Sequence, residues 1–138
     1  EKSSGSHGGT FNKNVWRTRT LNTITSSLTS ITLGSNQVTL DAGTYFIEAS
    51  APASDVDEHQ ARFYNITDSS TTVLGTSEFA GNSSHVTRSH LRNRFTIPTT
   101  KTFEIQHYCD ESESTDGFGR GLGATTEIFT VLYIYQLL

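Results

Sequence analysis

The chain has 138 residues, 10 basic against 14 acidic side chains, and a single cysteine. A domain of that length buries roughly 68% of its unfolded surface, so it needs no staple, and one cysteine makes no internal disulfide. The mildly acidic balance, without a basic run, speaks against nucleic acid, and no apolar run approaches the ~20 residues of a membrane helix.

Residues 1–8, EKSSGSHG, read as a disordered leader or tag remnant, with one domain over 9–138. No signal peptide is seen, and the chain reads as part of something longer. No stretch shows the 3.6-residue period of a helix. Period-two stretches recur instead, rich in Thr, Val, Ile, Phe and Tyr. The first strand is expected near Phe11 to Leu21. Ile31 to Leu33 and Gln37 to Leu40 flank the turn Gly34-Ser35-Asn36. After the turn Asp41-Ala42-Gly43, Tyr45, Ile47, Ala49 and Ala51 share one face of a strand. His59, Ala61 and Phe63 share a face of the next, opposite Gln60, Arg62, Tyr64 and Ile66.

A polar turn over Asp68 to Thr71 leads to Thr72 to Thr76 and a loop around Gly81-Asn82-Ser83-Ser84. Val86 to Ile97 alternates most clearly. Leu91, Phe95 and Ile97 lie on one face; Arg88, His90, Arg92 and Arg94 lie on the other. Pro98 to Lys101 turns the chain into a strand with Phe103, Ile105, His107 and Cys109 on one face. Residues 110–123 form a long Gly-rich loop. Eight to ten short strands at this spacing predict an all-β fold, a β-sandwich of jelly-roll type.

The last strand, EIFTVLYIYQLL, is apolar on both faces. Ile128, Thr130, Leu132, Ile134 and Gln136 take one face; Phe129, Val131, Tyr133, Tyr135 and Leu137 take the other. A sandwich buries one face of a strand between its sheets. Burying each remaining apolar side chain would gain roughly 1.5–3 kcal/mol, and such patches mark interfaces. The second set is taken as the expected subunit interface, closed around an axis, although alternation alone leaves open which of the two faces meets that axis. The competing reading is cover by the chain's own loops.

Several blocks follow one another in a fixed order: Gly9-Thr10-Phe11, Trp16, Thr18-Arg19, Ser35-Asn36-Gln37, Ala42-Gly43-Thr44-Tyr45, Glu48 to Ala53, His59-Gln60-Ala61-Arg62, Gly75 to Glu78, Phe103 to His107 and Gly117-Phe118-Gly119. Together they resemble a recurrent domain at the distal ends of phage tail fibres and related viral or bacterial surface proteins. More distantly, Gly43-Thr44-Tyr45 and the apolar strand Phe129 to Leu138 resemble the jelly rolls of complement globular heads and tumour necrosis factor (TNF). The resemblance implies a homotrimer at a virion or fibre tip, outside the cell, that attaches to a host-surface glycan or protein. It transfers no binding site. Loops 53–58, 81–86 and 110–120, at the end away from the N-terminus, are the expected binding loops. A purely structural trimerisation or decoration domain and a secreted complement- or TNF-like ligand are the alternatives.

Candidate ligand-binding residues are Asp55, Asp57, Glu58, Phe118 and Arg120. The carboxylates of DVDEH could supply hard oxygens to a structural calcium, as could Asp110, Glu111, Glu113 and Asp116; the plainer reading of both is a solvated acidic loop. No cofactor is expected otherwise. Phe118 could stack on a sugar and Arg120 fork to an acid; the plainer reading is a Gly-rich turn packed over the sheet. GFGRGLG lacks the spacing and the helix of a phosphate cradle. The row Arg88, His90, Arg92, Arg94 is open between solvated surface, pairing with Glu48, Glu104 or Glu127 at an interface, and an anionic glycan. His59 and His107 read as inward histidines satisfied by neighbours rather than zinc ligands. Trp16 reads as an anchor before a sugar platform, and Cys109 as a small buried hydrophobe or loop-edge thiol. Asn65-Ile66-Thr67 and Asn82-Ser83-Ser84 are formal sequons. No nucleophile elbow or metalloprotease helix is present, so no enzyme is expected.

Overall fold

Alternation of apolar and polar residues produces strands β1 (Arg17–Thr18), β2 (Ile31–Gly34), β3 (Gln37–Leu40), β4 (Gly43–Ser54), β5 (Asp57–Asn65), β6 (Ser70–Ala80), β7 (Val86–Ile97), β8 (Lys101–Cys109) and β9 (Val131–Leu137). The computed structural model describes residues 1–81 and 83–138, and no helix occurs among them. Asn82, with its sequon and the middle of the expected 81–86 loop, lies outside the described residues. Ser35 and Asn36, at φ 52° and 64°, make the two-residue turn of the β2–β3 hairpin. Both central residues at positive φ match the right-handed twist of the flanking strands.

Two sheets face each other in a sandwich-like arrangement. The larger has the order β2-β3-β8-β5-β6, with β1 also paired to β8; the smaller has the order β7-β4-β9. The antiparallel pairings β5–β6, β4–β7 and β3–β8 nest one inside the next along the chain. Inward residues of both sheets form the main core, among them Tyr45, Ile47, Phe63, Leu91, Phe103 and Ile105. Phe63 and Phe103 stack with centroids 4.6 Å apart, an aromatic pair worth about 0.5–1.5 kcal/mol beyond its area. The Tyr45 hydroxyl, at the edge of this core, donates to Asp41 O at 2.9 Å. A buried polar tip needs such a partner.

A second cluster, Phe11, Ala53, Val56, Ala80 and Cys109 with Phe118 packed on it, closes one end of the sandwich. The β4–β5 turn, the β6–β7 connection and the loop after β8 all lie at that end, because β4, β6 and β8 finish there.

The first strand is far shorter than expected. Between Phe11 and Leu21 only Arg17–Thr18 pairs in a strand, and Phe11 bridges Glu113 alone. Outside that pair the segment makes isolated backbone bonds, Asn14 N to Cys109 O at 3.0 Å and Arg19 N to Ile105 O at 2.8 Å. Residues 1–8, read as a leader, are hydrogen-bonded to the loop after β8: Lys2 pairs with Glu127, and Gly8 N donates to Gly119 O at 2.8 Å. The expected placement of the binding loops away from the N-terminus is corrected by these bonds. Residues 2–11 and the 113–127 loop share one end.

Candidate functional site

Register puts Phe46, Glu48 and Ser50 of β4 on the outer face of the smaller sheet. Their cross-strand partners are Arg94, Arg92 and His90 of β7, and Tyr135, Tyr133 and Val131 of β9. The inward set of β9 is the other one: Leu132 and Ile134 pack against the main core. Tyr133 is 58% exposed, Tyr135 49% and Leu137 38%. Phe129 is half-buried and its carbonyl accepts from Arg88 Nη1 at 2.8 Å; the same nitrogen donates to Ser50 Oγ at 3.0 Å. Arg92 Nε lies 3.2 Å from Glu48 Oε1, and its guanidinium sits 5.4 Å from the Phe46 ring centroid. Phe46 meets Tyr135 at 6.2 Å. A depression of about 360 Å³ opens among Glu48, Ser50, Arg88, His90, Val131 and Tyr133. This face is a basic row beside an aromatic row, and among the described residues Arg92 alone of Arg88, Arg92 and Arg94 is in a salt bridge.

At the loop-bearing end, backbone bonds stitch the expected binding loops together. Ser54 N donates to Gly117 O, Val56 N to Ala80 O, Asp110 N to Glu58 O and Glu111 N to Val56 O, at 2.8–3.1 Å. Asp55 and Asp57 adopt φ 52° and 56°, a left-handed geometry that Asp tolerates better than most residues. Asp55 Oδ1 accepts from Ser84 N at 2.9 Å and His85 N at 3.3 Å, so its carboxylate ties the β4–β5 turn to the β6–β7 connection. Glu58 is exposed beside it. Arg120 pairs with the buried Asp116 at 2.8 Å. Phe118 turns inward, 4.4 Å from the Phe11 ring, with the Arg19 guanidinium 4.3 Å above it. The acidic residues proposed for calcium do not gather: among the described residues no three His, Cys, Asp or Glu side chains converge as metal ligands.

Beneath these loops runs a polar chain that sequence reasoning did not assemble. Arg19 is 2% exposed, and its guanidinium is held by one hydroxyl and two backbone carbonyls. Its Nε donates to Thr130 Oγ1 at 2.7 Å, Nη1 to Pro52 O at 3.0 Å and Nη2 to Phe118 O at 2.8 Å. Nη1 also reaches His107 Nδ1 at 3.5 Å. His107 Nε2 lies 2.9 Å from His59 Nδ1, and His59 Nε2 lies 2.8 Å from Thr87 Oγ1. Thr87 Oγ1 donates in turn to Phe79 O at 3.2 Å. Burial, with Arg88 nearby, lowers the Arg19 pKa to about 9. Burial lowers His59 to about 4, with Glu78 pulling the other way and Arg19 adding to the depression. His107 is pushed well down by burial, then by Arg19 and His59.

The inward positions of His59 and His107 were visible in the alternation of their strands. Their diagonal contact depended on the β5–β8 register, which pairs Ala61 with His107. In the sequence Arg19 is only one residue of the strand expected over Phe11 to Leu21, and its burial was not legible there because that strand forms only at Arg17–Thr18. Trp16 stands on the outer face of the larger sheet, with the Arg62 guanidinium 3.9 Å from its ring centroid and Tyr108 at 5.6 Å. Arg62 also covers Tyr64 at 4.3 Å and donates twice to Gln106 Oε1. No family model and no curated protein matches the chain.

Proposed function

We propose that the chain is the head domain of a viral or phage fibre, a jelly roll that forms a homotrimer and attaches to a host-surface glycan. The carrying observation is the outer face of β7-β4-β9. Tyr133, Tyr135 and Leu137 stand exposed there beside Phe46, on a sheet whose inner face is already used. A contiguous apolar patch of this kind is a protein contact surface. The nested pairing β5–β6, β4–β7, β3–β8 supports the jelly-roll assignment, since a rolled-up hairpin pairs its strands in that order.

Around a three-fold axis, the loop-bearing ends of the subunits point the same way. Asp57, Glu58 and Arg120 then form three copies of one weak site. Simultaneous engagement multiplies a weak affinity by a factor of about 10²–10⁴. Light scattering on the intact chain gives the trimer mass, and a broad glycan panel read with and without Tyr133→Asp gives the avidity. A monomeric mass for the unsubstituted chain removes the assembly. Silence across the panel, with firm binding to a host protein, replaces the glycan by a protein receptor.

One observation favours a second reading, a structural trimerisation or decoration domain. The Phe118 ring and the Arg120 guanidinium both have partners within the chain. Host attachment unchanged by substitutions at Glu58 and Arg120 selects it.

A further inference from the structure

The chain of contacts from Arg19 to Phe79 has a single possible direction. At one end, the Arg19 guanidinium can only donate, so His107 Nδ1 accepts. At the other end, Phe79 O can only accept, so Thr87 uses its one proton there and receives from His59 Nε2. Each end alone implies the same tautomers. His107 carries its proton on Nε2 and donates to His59 Nδ1, and His59 carries its proton on Nε2. The chain therefore has room for no further proton. One added at His107 Nδ1 faces an Arg19 N–H; one added at His59 Nδ1 faces the His107 N–H. Either also places a positive charge beside a buried guanidinium.

What the chain holds is the loop-bearing end. Arg19 ties the end of β4, through Pro52 O, to the Gly-rich loop, through Phe118 O. Thr87 ties β7 to β6, between which no ladder forms. The surroundings offer little to stabilise a proton. Arg17 of β1 lies opposite His107, and Phe11 of the N-terminal segment packs its ring 4.9 Å away. Arg88 of β7 acts on Arg19. Cys109 of β8 lies opposite His59, with Asp110 and Glu111 acting on that thiol. Glu78 of β6, opposite His59, is the acid that favours the proton there.

We propose that Arg19, His107, His59 and Thr87 form an acid-sensitive latch, which keeps the loop-bearing end closed only while both imidazoles are neutral. The latch belongs to the single subunit and does not depend on the trimer or the glycan. A base whose folded pKa lies below its unfolded value contributes stability that is complete above the unfolded value and is lost as the pH falls toward the folded one. For His59 that window runs from 6.5 down to about 4.

The test is amide exchange of the full chain from pH 7 to about pH 5, with opening constants for residues 54–56 and 110–123 corrected for intrinsic rates. Below pH 6.5 the opening constant should rise about tenfold per pH unit for one proton taken up, and up to about a hundredfold for two. His59→Gln and His107→Gln should each remove about one tenfold step per unit. Imidazole nitrogen spectra of the unsubstituted chain at neutral pH should show both rings neutral with the proton on Nε2, a result that needs no variant to fold. Opening constants flat between pH 6.5 and 5, an unchanged slope in both folded variants, or an Nδ1 proton on either ring would each overturn the latch.

Discussion

His59 on β5 and His107 on β8 meet ring nitrogen to ring nitrogen at 2.9 Å, both buried, with His107 packed against Phe11 of the cluster that closes one end of the sandwich. Their ring planes lie at 67° to each other, an edge contact rather than a stack. Two imidazoles buried in this way are a polar network fully committed to neighbours. Such networks specify one arrangement and tolerate little change in protonation.

Arg19 anchors that network, and its fork makes it hard to replace. An ammonium on a flexible stem cannot reach Thr130 Oγ1, Pro52 O and Phe118 O together. Arg19→Lys should therefore orphan at least one buried acceptor and cost about 1–3 kcal/mol. The urea midpoint at pH 7 measures it, and an unmoved midpoint contradicts the role assigned to the guanidinium.

Neighbouring residues of β9 should fail in different ways. Ile134 packs on the core, so Ile134→Asp buries a charge and should cost about 2–4 kcal/mol of subunit stability. Tyr133 faces outward, so Tyr133→Asp should leave monomer stability within about 0.5 kcal/mol and lower the assembled mass. Thermal melts with light scattering separate the two. Equal effects on both readouts would remove the distinction between the faces.

Glu127 holds the N-terminal segment to the Gly-rich loop. Oε1 accepts from Gly5 N at 2.9 Å and Gly123 N at 2.7 Å, and Oε2 accepts from Leu122 N at 2.9 Å. The backbone donors of Gly123, Leu122 and Gly5 hold its pKa below the ordinary 4.5. Its contribution is complete above 4.5 and lost as the pH falls through the lower folded value. At pH 7, Glu127→Gln should speed amide exchange over residues 2–8 while leaving the main core protected. Unchanged exchange there would show that the segment is held by other contacts.

Cys109 should be inert in the folded chain. Its thiol is buried, donates to Glu111 O at 3.1 Å, and is pushed up to about 12 by burial and by Asp110 and Glu111. Alkylation needs the thiolate, so labelling at pH 8 should be slow when native and fast in denaturant. Rapid native labelling would mean that this end opens readily even when neutral.

Period-two alternation placed most of the strands, although β6 runs over Ser70–Ala80 rather than Thr72 to Thr76 and β9 begins only at Val131. Val86 to Ile97 runs as expected to the residue, and the apolar faces carrying Tyr45, Ile47, Phe63 and Phe103 are the ones that form the core. Side-chain alternation is a local property of extended backbone, so it can be read from sequence alone. The shortness of β1 was not legible, because residues 11–21 meet their partners about a hundred positions later in the chain, as Phe11 does at Glu113.

The sequence by itself determined an all-β chain, the turn at Ser35-Asn36, and a last strand apolar on both sides. Only the tertiary structure decided which side of that strand faces inward. Ile134 and Tyr133 both present large apolar surface, and the pairing Ile47–Ile134 on β4 and β9 turned the first toward the core. It also decided that Arg19, His107 and His59 form one chain. These residues are 88 and 48 positions apart, and only the β5–β8 register and the path of the segment after β1 bring their nitrogens together.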